Sequence, residues 1–189
     1  MTILPIDEIN ALEDRLKVHF NDEGKIKSRQ DAEEIIDELL DLFLLSYANG
    51  ATATNTELGT SVMPPVDAVD AAVYAPVAGE TWRDRVMGYY DSGGTLYDIR
   101  RIAETDATRI YNQGAVDAVV ANGATGVSKR WRTMNDDRVR DTHDYLEGMV
   151  VPFDADFYTY DGDHAPFPGM FELPENSINC RCVVEVIRG

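Results

Sequence analysis

The chain is poor in cysteine, histidine, tryptophan and positive charge. Its two cysteines in 189 residues exclude a disulfide-stapled scaffold and fit a reducing intracellular setting. Seventeen basic residues stand against 34 acidic ones, a net charge of −17. A surface built to wrap nucleic acid needs clustered Lys and Arg, so DNA contact is disfavoured. No stretch reaches the roughly 18 uninterrupted apolar residues that a membrane helix needs. "MTILPIDEIN" has no basic segment leading into an apolar one, so no secretory signal is expected. GxSxG, Walker and HExxH motifs are missing, which leaves their nucleophilic, phosphate-binding and zinc-protease chemistries without support.

An apolar fraction of 44% with nine tyrosines belongs to a folded protein, and the length suits one ordinary domain with a real core. The acidity is uneven. Residues 1–75 hold 15 acids and 5 bases, whereas Lys129, Arg130, Arg132, Arg138 and Arg140 crowd one short stretch. A solvated surface accounts for most of the acidity, and steering toward a basic partner is the sharper alternative.

Ile6, Ile9, Leu12, Leu16 and Phe20 recur at helical steps and stop at Gly24. Ser28, with Asp31 three residues on, caps a second helix over "AEEIIDELLDLFLLSYA". Its apolar residues between Ile35 and Leu45 are too many for one surface stripe. That helix is therefore either central to the fold or packed on another chain, which makes residues 28–48 a candidate for self-association. "NGATATNTELGTSVMPPVDA" reads as a loop or linker. Short helices follow over "VDAVDAAVYA" and "GETWRDRVMGYYDS", closed by Gly93-Gly94. Thr95 caps one long helix that Gly114 mildly interrupts.

After Gly126 the pattern changes. "VSKRWRTM" and "MVVPF" read as strands, "NDDRVRDTHDYLEG" as a helical turn capped by Asn135, residues 154–178 as an ordered loop, and "CRCVVEVI" as a terminal strand. The expected fold class is α+β: a helical N-terminal region, then a small mixed α/β domain ending in a β-strand. The expected divisions are residues 1–60, a linker with short helices over 61–94, and a C-terminal domain over 95–189.

Candidate chemistry centres on Asn179-Cys180-Arg181-Cys182. In a strand the two cysteines share a face with Val184 and Val186. Their Cβ atoms would then lie about 6–7 Å apart, beyond the ~4 Å of a disulfide. Buried packing is the first expectation. His143 shares a helical face with Val139 and Leu146 and points to the core, where it can meet the cysteines. His143, His164, Cys180 and Cys182 are the candidate metal ligands. No cofactor is expected otherwise, zinc at these residues being the alternative that their donor chemistry keeps open. Asp136–Arg140 and Arg140–Asp144 have helical ion-pair spacing; the alternative is an arginine cluster for phosphate or carboxylate.

The order of these features resembles the phage Mu F-like, or SPP1 gp7-like, phage head morphogenesis (minor head protein) family. The resemblance begins at Ala103-Glu104-Thr105-Asp106 and Asn112, although Arg and Glu are more usual where Glu104 and Asp106 stand. It continues through Trp131, Thr133, Asp137, Arg138, Arg140, His143 and Gly148, then Phe157, and closes on "FPGMFELPENSINCRC" with Asn179, Cys180, Arg181 and Cys182. It implies a virion component with no enzymatic activity, inside the head near the portal. Such a protein would act in procapsid assembly or in genome packaging and ejection, in the host cytoplasm during assembly. Its partners would be portal or major capsid protein, with no membrane. Some relatives carry an appended toxin or enzyme domain; with seven residues after Cys182, none is expected within this sequence. The contrasting expectation is a metal-dependent or nucleotidyl-transferring enzyme using His143, Arg138, Arg140, Cys180 and Cys182.

Overall fold

A computed structural model describes residues 6–188. Residues 1–5, with much of the stretch read for a secretory signal, lie outside the described residues. Helix α1 (Ile6–Leu16) runs into a 3₁₀ turn over Lys17–His19. Helix α2 spans Arg29–Leu58, and α3 (Val66–Val73), α4 (Trp82–Ser92) and α5 (Leu96–Ala121) follow. The C-terminal part contains β1 (Val127–Arg132), a single turn α6 (Asp141–Asp144), β2 (Val150–Pro152), β3 (Phe157–Tyr158), β4 (His164–Ala165), α7 (Pro174–Ser177) and β5 (Val183–Arg188). The expected α+β class is observed. Among the described residues no helix is long and apolar enough to cross a membrane.

The caps behave as their residue types dictate. Ser28 accepts the Asp31 backbone N–H at 3.1 Å and donates its hydroxyl to the Asp31 carboxylate. Thr95 donates its backbone N–H to Asp98 at 2.9 Å at the start of α5. Gly93 ends α4 in the left-handed conformation, at φ 81°.

The first half of the expected loop over 49–68 is instead the last third of α2, residues 49–58. The reason lies across the interface with α5. A Cβ on Gly50 would sit 1.9 Å from the Tyr111 carbonyl oxygen, and one on Gly114 would sit 2.3 Å from that of Tyr47. The two backbones touch there, and only glycine allows it. Around the crossing, Ala51, Thr54, Ala115 and Ala118 are buried. Thr54 donates to the Ala115 carbonyl at 3.0 Å, and the Tyr47 hydroxyl donates to Asp117 at 2.7 Å. The Gly- and Thr-rich composition lowers helix propensity by a few tenths to about 1 kcal/mol per residue. Close packing offsets it.

That crossing makes α2 the centre of the helical layer and so selects the first of its two expected roles. Ile35, Ile36, Leu39, Leu42 and Phe43 are buried within the same chain, against residues of α1, α3, α4 and α5; Leu44 and Leu45 stay exposed, at 41% and 44%. Trp82 at the head of α4 is fully buried, donates its indole N–H to the Val73 carbonyl at 3.0 Å, and meets Phe43 edge-on at 5.1 Å. One apolar cluster thus gathers residues from α1 through α5.

The C-terminal sheet has the order β2-β1-β5, antiparallel throughout, with Trp131 opposite Val184. β5 packs on α2 and α5, so the sheet is seated on the helical layer. β3 and β4 pair as a hairpin inside the expected loop region, with Phe157 opposite Ala165.

Gly50→Ala and Gly114→Ala are each expected to cost about 2–3 kcal/mol by forcing α2 and α5 apart. Gly88→Ala, at an exposed position of α4 where a Cβ meets nothing within 4 Å, should instead stabilise by roughly 0.5–1 kcal/mol. Urea unfolding of the three variants checks both signs.

Candidate functional site

The residues singled out in the C-terminal part converge on Trp131. β1 carries its side chain into the interior, where it is fully buried. Phe157, His143 and Phe171 surround it, with ring centroids at 5.2, 5.4 and 5.7 Å. Gly148 at φ 74° lets the chain turn back so that its N–H reaches the Trp131 carbonyl at 2.9 Å. Buried Thr133 donates its hydroxyl to Glu147 at 2.8 Å, and Asp137 lies exposed in the following turn.

The expected helical turn over 135–148 is confined to α6, with Arg140 and not Asn135 at its N-cap. Asn135 adopts φ 51°, which a helix cap does not use. The expected ion-pair ladder is replaced by long-range bonds. Asp136 receives both Arg181 guanidinium nitrogens, at 2.8 and 2.6 Å. Arg138 reaches Glu104 on α5 at 3.1 Å, and Arg140 donates to the Ile178 carbonyl. Tertiary partners take these charges because the chain turns at 136–139 before any helix can align them. An open arginine cluster for phosphate is therefore not what the fold builds; each guanidinium ties the loop before α6 to α5 or to the segment entering β5.

The expected terminal strand over 180–187 begins only at Val183, so Cys180 and Cys182 precede β5, yet they pack with Val184 against Trp131. Both are free thiols. His143 is buried, and its Nδ1 lies 3.6 Å from each sulfur. Its Nε2 is buried without a protein partner. The Cys182 thiol is pushed up, first by its hydrogen bond with Cys180 and then by burial. Arg181 turns the other way, to Asp136. His164 does not join the group: it is exposed on β4, 2.8 Å from Asp156 and stacked on Tyr158. The four-ligand set His143, His164, Cys180 and Cys182 is thus not assembled. The loop geometry sends His164 to a carboxylate of its own hairpin.

Two residues that carry the resemblance have roles that their spacing does not show. The first is Asn112, fully buried on α5, which joins the two layers. Its amide donates to the carbonyls of Pro168 and Cys182 at 3.0 and 3.1 Å, while its oxygen accepts the Val184 N–H at 2.9 Å. The second is Asp106, also fully buried, which accepts from Arg85 at 2.6 Å and lies 3.4 Å from Arg109. Arg109, buried as well, donates to the Ala72 carbonyl at 3.0 Å. The signal was a polar stripe within an apolar helix: Thr105, Asp106, Thr108, Arg109 and Asn112 recur on the α5 side that faces neither α2 nor solvent.

Asn112→Leu leaves three buried backbone groups without a partner and is expected to cost about 3 kcal/mol or more in denaturant unfolding. Arg181 holds the Asp136 carboxyl below its ordinary value by hydrogen-bonding the charged form. A lowered folded pKa stabilises fully above the unfolded pKa of about 3.9 and fades as pH falls through the folded value. Asp136→Asn should therefore lower the melting temperature at pH 7, and its gap from the parent should close on acidification below about pH 4.

Comparison with known proteins places this site in a family context. The chain is 34% identical over 93 residues to the NAD(+)--arginine ADP-ribosyltransferase EFV of Enterococcus faecalis, covering 47% of this chain but 19% of that protein. It is 29% identical over 97 residues to the Minor head protein GP7 of Bacillus phage SPP1, covering 50% of this chain and 32% of that one. The chain thus spans a fifth to a third of the length of these relatives. No solved structure matches it. The family described as Phage Mu protein F like protein matches residues 77–185, the stretch that holds α4, α5, the sheet and the Trp131–His143–Cys cluster, and the chain belongs to that family.

Proposed function

We propose that this protein is a bacteriophage minor head protein acting in head morphogenesis. It would be carried in the virion, inside the head near the portal, and assembled there from the host cytoplasm. Portal protein, major capsid protein or both are its partners in this reading. The observation that carries it is the use to which the family residues are put. Trp131, His143, Cys180 and Cys182 build an interior, Gly148 turns the chain beside it, and Arg138, Arg140 and Arg181 tie loops together. Residues used this way support a scaffold that presents surfaces to other proteins. They give little support to the contrasting enzyme, whose named residues would have to face a substrate. The relative named as a minor head protein supports the same reading. The high acidity favours protein partners with basic surfaces over direct DNA contact.

Mass spectrometry of purified virions and procapsids should find the protein, and chemical cross-linking of procapsids should join it to portal or major capsid protein. Absence from both particles would sink the proposal.

A further inference from the structure

Packing is the first expectation for the two cysteines and zinc held with His143 and His164 the alternative; the geometry favours a metal held without His164. We propose that His143 Nδ1 and the sulfurs of Cys180 and Cys182 form a three-ligand site for a borderline-soft divalent cation, Zn²⁺. The inference concerns the folded chain alone and does not depend on the head-protein reading.

Three observations carry it. The first is dimension. A tetrahedral zinc with Zn–S near 2.3 Å and Zn–N near 2.0–2.1 Å sets its nitrogen and sulfur ligands about 3.5–3.6 Å apart. His143 Nδ1 lies 3.6 Å from each sulfur, and the three donor atoms all fall within 4.8 Å of one another.

The second is donor chemistry. Two thiolates and an imidazole suit zinc, and the two negative charges balance the ion inside an apolar shell of Trp131, Phe171 and Val184. Binding releases the two thiol protons to solvent, and no oxidation is involved.

The third is the surroundings of the ring. Coordination through Nδ1 requires the proton on Nε2, and that proton needs an acceptor. Nε2 is buried and has no protein partner. His143 also lines a cavity of about 10 Å³, together with Cys182, Asn179, Met134, Arg138 and Arg181 among others. That is room for about one water. Asn179 Oδ1 is likewise buried and unpartnered. A water there would accept from Nε2–H and donate to Asn179 Oδ1, which sets the tautomer that the metal needs. The backbone of Asn179 is fixed for this by its N–H bond to Thr105 on α5, at 2.9 Å. Three protein ligands leave the fourth position to a water or small anion. The ion would clamp α6 to the segment entering β5, across 37 residues of chain.

The test uses the full chain, stripped of metal under reducing conditions and titrated with Zn²⁺. The proposal expects saturable uptake of one equivalent and a rise in melting temperature of roughly 5 °C or more at saturation. The Cys180→Ser/Cys182→Ser double variant and His143→Gln should lose both, while His164→Gln keeps them. A second group, His19 with Asp31 and Glu34, also has ligand atoms close together but is partly exposed, so His19→Gln is the control for adventitious binding. Cobalt in place of zinc should give a sulfur-to-metal charge-transfer band in the unmutated chain, a readout that survives if the core variants fail to fold. No uptake by the parent chain, uptake that persists in the double cysteine variant, uptake lost with His19 alone, or cobalt bound without the sulfur band would each overturn the site.

Discussion

The backbone contact between α2 and α5 sets the position of everything else. Two glycines, 64 positions apart, face each other's helix so closely that a single methyl group on either would overlap a carbonyl oxygen. Once the helices are held at that distance, α2 can bury apolar side chains around most of its girth. α1, α3 and α4 then complete a layer that neither long helix could complete alone. The contact also fixes the far side of α5, and that side carries the polar stripe on which the C-terminal sheet is seated.

Asn112 shows how the second layer depends on the first. An edge strand presents unpaired backbone groups, and burying them without partners costs about 1–3 kcal/mol each. On the side of β5 turned away from β1, one side-chain amide of α5 satisfies the Val184 N–H and the Cys182 carbonyl together. Thr105, two turns earlier, does the same for Asn179. The segment bearing the cysteines is thus laid along α5 by hydrogen bonds, and His143 meets it from the opposite side on α6. The distances that make the cluster a credible metal site follow from that double anchoring, since neither thiol belongs to a regular strand.

Charge is used in the same way. The family resemblance drew notice to Glu104 and Asp106 as unusual residues for their positions. In the fold each is a hub, Glu104 for Arg100 and Arg138, Asp106 for Arg85 and Arg109. A buried carboxylate between two guanidiniums contributes more to geometry than to net stability. Here it fixes α4 and the loop after β1 against α5. Of the arginines that looked like an anion-binding cluster, Arg138 belongs to this bracing and Arg140 is tied to the Ile178 carbonyl.

Much of the architecture was legible in the amino-acid sequence, because it rests on local physics. Apolar spacing, the caps at Ser28 and Thr95, the glycine stop at Gly93 and the alternation through Trp131 act over a few residues and act alike in any context. The shared inward side of Cys180, Cys182 and Val184 follows from the same local rule, as does the burial of His143. The tertiary structure decided the rest, wherever a distant partner outweighed a local preference. Residues 49–58 look like a loop until α5 lies against Gly50. Residues 135–140 look helical until Arg181 takes Asp136. His164 and Asn112 have no partner that spacing can name until the fold sends one to Asp156 and the other to the edge of β5. Propensity and spacing are properties of neighbours in the chain; close packing, ion-pair choice and ligand geometry are properties of neighbours in space, which only the folded chain brings together.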